Sequence, residues 1–158
     1  MYDPRTSGLT IGILAGTFVL AACTDRAEEL PEQVEIGNVI ATRSAGFFME
    51  SCNNAIYALS VETAEKVQNE GAEFLERRES GSKHHYSNWR ETPAPVPEGG
   101  SVYSSYPILP CGEQDDFPHQ KIEEALTRSG SFYALTPNGE GMLLVAPRQR
   151  TAAVFYVG

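Results

Sequence analysis

Positive charge is scarce in this chain. Lysine and arginine number 12 against 21 aspartate and glutamate, a formal net charge of -9 over 158 residues. Such a surface repels nucleic acid and anionic headgroups, so neither is expected as a partner of the folded part. Motifs that carry chemistry are missing as well. There is no serine elbow, no phosphate-cradling glycine loop and no histidine–glutamate zinc helix, and hence no cofactor or metal is implied. No internal repeat is visible. Cysteine is limited to Cys23, Cys52 and Cys111. Long apolar runs are missing too: the one from Leu9 to Ala22 makes a helix of roughly 21 Å at about 1.5 Å per residue. The hydrocarbon core of a bilayer is about 30 Å thick, so the run is short for a transmembrane helix.

What the run does have is the layout of an export signal. Only Met1 to Gly8, with the single cation Arg5, precede it, no polar face interrupts Leu9 to Ala22, and small residues close it at Cys23. Leu20, Ala21, Ala22 and Cys23 resemble the lipobox of bacterial lipoproteins. That resemblance implies cleavage before Cys23, a diacylglycerol on its thiol and acylation of the new amino terminus. Each buried methylene contributes about 0.8 kcal/mol, so one chain binds marginally whereas two or three hold firmly. The aspartate often linked to inner-membrane retention stands one place late, at Asp25, which favours an outer membrane facing the periplasm.

With Cys23 taken by lipid, Cys52 and Cys111 form an even pair in an oxidising compartment, and a disulfide between them is expected. On the chain-entropy account it adds about 4 kcal/mol. Three segments follow: a leader over 1–22, a solvated tether over 23–33 containing Asp25, Glu28, Glu29 and Glu32, and one domain over 34–158. Asp3 and Arg5 cancel in the leader, so the mature part keeps the full negative charge.

Within the domain, Val34 to Thr42 reads as a strand with an irregularity at Gly37 and Asn38, while the periodicity of Ala45 to Leu59 does not choose between strand and helix. Ser60 caps a helix running to about Glu79, with Val61, Ala64, Val67, Gly71, Phe74 and Leu75 inward and the pairs Glu62/Lys66 and Glu73/Arg77 outward. Residues 80–100, rich in proline and glycine, form a long loop. Val102 to Leu109 reads as extended. A second helix starts near Asp115 and Asp116, takes Pro118 in its first turn, buries Ile122, Ala125 and Leu126, and ends at Gly130. Ser131–Thr136, Met142–Ala146 and Thr151–Val157 read as a three-stranded meander, apolar on both faces of its last two strands. The expected fold is α+β: this small antiparallel sheet plus an N-terminal strand, packed with two helices.

The residues with most site character are His84, His85, Tyr86 and Trp89 in the loop, with Tyr103 and Tyr106 beside Pro107 and Pro110. Exposed Trp and Tyr suit a contact surface, whereas aromatic loop residues that plug onto the domain are the plainer alternative. The adjacent histidines lack ligands at zinc spacing. Cys111 with His119 as nucleophile and base would make an envelope hydrolase, but no cysteine-protease signature surrounds the thiol. Glu113, Asp115 and Asp116 would complement a helix dipole or, with the histidines, hold a cation or small ligand. The expected function is that of a lipid-anchored envelope protein that binds or scaffolds an envelope partner without turnover.

Overall fold

Ser60 begins the helix as its hydroxyl suggests. The computed structural model describes residues 26–47, 50–77, 86, 88–108 and 117–157. In it the Ser60 hydroxyl accepts the Thr63 N–H at 3.1 Å and opens α1 (Val61–Glu70), which buries Thr63, Ala64 and Val67. The Glu62–Lys66 pair forms at 2.7 Å on the outer face. The helix does not run on to Glu79. It breaks at Gly71, whose φ of 63° suits a residue without a side chain, and α2 (Ala72–Glu76) follows. Because the break turns the chain, Arg77 pairs with Glu70 in place of Glu73 and lies over the Phe74 ring.

The sheet is larger than the sequence suggests. Strands β1 (Ile36–Phe47), β2 (Glu50–Leu59), β3 (Arg90–Glu91), β4 (Phe132–Leu135), β5 (Gly141–Ala146) and β6 (Thr151–Val157) form one sheet in the order β1-β2-β6-β5-β4-β3. Every neighbouring pair is antiparallel. The expected small sheet with two helices is therefore corrected to six strands with four helices among the described residues. The meander is present as β4, β5 and β6; the missed strands have separate physical causes. β2 lies between β1 and β6 and buries Asn54, Ala55, Ile56 and Tyr57 in succession, so it shows no alternation to read. β3 is two residues long and sits inside the segment expected to be all loop.

The meander's two apolar faces find two separate covers. Ala134, Leu143, Val145 and Val154 point to the side of α1 and α2. Tyr133, Met142, Leu144 and Phe155 point to the other, under α3 (Val102–Ser105) and α4 (His119–Thr127). Ile122, Ala125 and Leu126 are the buried stripe of α4. The segment read as extended from Val102 instead starts with α3, because Ser101 and Ser104 cap each other reciprocally.

The tether expected over 23–33 is packed from Arg26 onward. A 3-10 turn (Arg26–Glu29) leads into Leu30 and Val34, both 5% exposed within the first core. Gln33 Nε2 faces the carbonyls of Phe74, Leu75 and Arg77 at 2.9, 3.0 and 3.0 Å. One side chain thus serves the C-terminal carbonyls of α2, adding to the Arg77 N–H that the Phe74 carbonyl already accepts at 3.4 Å.

Candidate functional site

The aromatic residues expected to form one contact surface are divided by the sheet. Tyr86 and Trp89 are buried at 6% exposure in the core under α1 and α2. The Tyr86 hydroxyl donates to Glu29 Oε2 at 3.2 Å, and burial, with the Glu29 charge second, pushes its phenol well above the ordinary range. Tyr103 and Tyr106 are half-buried on the opposite face. Tyr103 donates to the His119 carbonyl at 2.8 Å and Tyr106 to the Pro95 carbonyl at 2.9 Å. The plainer reading of the loop holds for Tyr86 and Trp89: they plug onto the domain. His84 and His85 lie outside the described residues, as do Cys23, Cys111, Glu113, Asp115 and Asp116.

Cys52 sits on β2 opposite Ala45 of β1 and Val157 of β6. His119 opens α4 beside Arg43 of β1, whose Nη1 is 3.5 Å from His119 Nε2. The Arg43 guanidinium stacks over Phe117 at 5.0 Å, and the Phe117 and Tyr103 rings meet the imidazole at 4.9 and 5.9 Å. Burial, and after it the Arg43 charge, lower the imidazole's pKa. A neutral ring accepting from a guanidinium is a packing arrangement that ties β1 to α4. Sequence reasoning missed Arg43, which lies just past the strand expected over Val34 to Thr42 and falls inside β1 in the structure.

Recesses open to solvent among the described residues include a larger and a smaller one. A groove of about 690 Å³ lies at the α1–α2 break. Its walls are Gln68, Asn69 and Glu70 on one side and Glu91 and Arg148 on the other, with Phe132 as an apolar patch. Gly130, with φ of 95°, makes room for Arg148, whose Cζ is 3.0 Å from where a Cβ would stand, and Arg148 Nη1 reaches the Ser129 carbonyl at 3.4 Å. A smaller recess of about 290 Å³ lies between Glu29 and Tyr86 on one side and Asn138 and Tyr156 on the other. Tyr156 donates to Glu140 Oε2 at 2.9 Å. No family model, curated protein or solved structure matches this chain.

Among the described residues the groove lining offers amides, two carboxylates, a guanidinium and an aromatic ring, but no serine, cysteine or histidine. That set binds polar ligands through hydrogen bonds and charge; it supplies no nucleophile. Among the described residues no group of three His, Cys, Asp or Glu is placed to hold a metal ion. Nor is any helix among them long and apolar enough to cross a membrane. Sequence reasoning missed the groove because its walls come from a helix break, a two-residue strand and the turn before β6.

Proposed function

We propose that the protein is a lipid-anchored component of a bacterial envelope that acts by binding a partner at the membrane surface. The observation that carries this is the apolar leader closing on Leu20, Ala21, Ala22 and Cys23. The packed turn at Arg26 supports it: a body that begins three residues beyond Cys23 is held within about 11 Å of the acylated thiol at roughly 3.6 Å per residue. A disulfide from Cys52 to Cys111 belongs to the same reading, since it requires export. The groove at the α1–α2 break replaces the aromatic loop as the contact surface, and its polar lining suits an envelope protein or a polar envelope ligand. Mass analysis of protein taken from native membranes tests the anchor. A mature chain starting at Cys23 with diacylglycerol attached is expected, and Cys23→Ser releases a folded body. An intact leader without added hydrocarbon overturns the reading.

A further inference from the structure

The two edges of the sheet are built differently. β3 is two residues long, carries exposed Arg90 and Glu91, and is followed by Pro93. Those are the features by which an edge avoids pairing with another chain. β1 is twelve residues long, about 40 Å at roughly 3.3 Å per residue. It pairs only with β2 among the described residues. It contains no proline and no carboxylate, and its one charged residue, Arg43, is 6% exposed. The positions that do face solvent, among them Asn38, Thr42 and Ser44, are uncharged. Val39 and Ile40 are 55% and 48% exposed, two of the three large apolar side chains left in water among the described residues.

We propose that β1 pairs with β1 of a second copy, antiparallel about a two-fold axis, making one continuous sheet across the dimer. A second copy meets least repulsion at this strand: each chain carries -9, and β1 is a twelve-residue strip without acid. The register with β2 shifts at Val39 but is regular from Ala41 to Phe47, which gives a straight ladder for the partner. Antiparallel self-pairing uses the same edge on both copies and closes on itself. The outward edges of the dimer are then both β3, too short and too charged to add a third copy. This inference is independent of lipidation.

Sedimentation velocity on the full chain in mild non-ionic detergent tests it. The wild type is expected at twice the chain mass. Ser44→Lys, at the middle of the regular Ala41–Phe47 stretch, sets like charges across the axis and weakens association about tenfold or more, while Glu91→Lys on the opposite edge leaves the dimer intact. A wild type that stays monomeric, or a dimer that survives Ser44→Lys, overturns the proposal. Hydrogen exchange on the wild type gives a second readout that needs no variant. Amides in residues 41–47 gain protection as protein concentration rises if the edge pairs, and exchange independent of concentration overturns it.

Discussion

Trp89 places its indole N–H in the core with no acceptor among the described residues. Trp89→Phe removes that stranded donor, so it costs less than about 1.5 kcal/mol, whereas Trp89→Ala leaves a cavity and costs about 3–5 kcal/mol in urea unfolding. Thr92 is the opposite case, a buried polar side chain whose oxygen is fully used. Its hydroxyl lies 2.5 Å from the Arg128 carbonyl and accepts the Ser131 N–H at 3.1 Å, which fastens the loop to the turn between α4 and β4. Thr92→Val keeps the shape and strands both partners, with an expected loss of about 1–3 kcal/mol by the same measurement. His119 adds a pH dependence. Its pKa is lowered on folding, chiefly by burial, so the unfolded chain takes up the proton at a pH where the folded one does not. The stability it confers is therefore present above the ordinary imidazole value and lost as pH falls through the folded value. Melting temperature should fall between about pH 7 and about pH 5, and His119→Gln should flatten that slope.

At the scale of elements, α2 is five residues long and depends on neighbours. Gln33→Ala leaves the carbonyls of Phe74, Leu75 and Arg77 without their side-chain donor. A loss of about 1–2 kcal/mol is expected, with faster hydrogen exchange in residues 26–34 as the turn undocks. Gly71→Ala places a side chain at positive φ and costs about 1 kcal/mol or more. Both substitutions act on a region where sequence reasoning was half right. The Ser60 cap, the Ala64–Val67 part of the first stripe and the Ile122–Leu126 stripe were legible because they face one core and water, which produces a period, whereas Val61, expected inward, is 52% exposed in the first turn. Gly71 was visible, yet a glycine at helical spacing reads equally as a tolerated position or as a break. β2 was illegible for the reason that makes it central: apolar neighbours on both faces erase the alternation. The groove was beyond reach because Glu70, Glu91 and Arg148 are brought together only by the tertiary fold. Turn signals at Pro137–Gly141 located the β4–β5 hairpin correctly because Thr136 and Asn138 bond locally within it.

For the molecule as a whole, alkaline pH is a second limit. Burial, followed by the hydroxyl of Tyr133, pushes Tyr106 up to about 12, and burial raises Tyr103 and Tyr86 as well. A raised phenol keeps its proton in the folded state after the unfolded chain has lost it, so stability is full below the ordinary phenol value and declines as pH climbs toward the folded value. Thermal scans should show the decline setting in above about pH 10. The position of β6 has a different kind of consequence. It lies between β2 and β5, so Thr151–Val157 is what joins the β1–β2 hairpin to β5, β4 and β3 among the described residues. A fragment lacking those seven residues is two half-sheets with no strand to bridge them, so truncation there uncouples the two ends of the molecule at once.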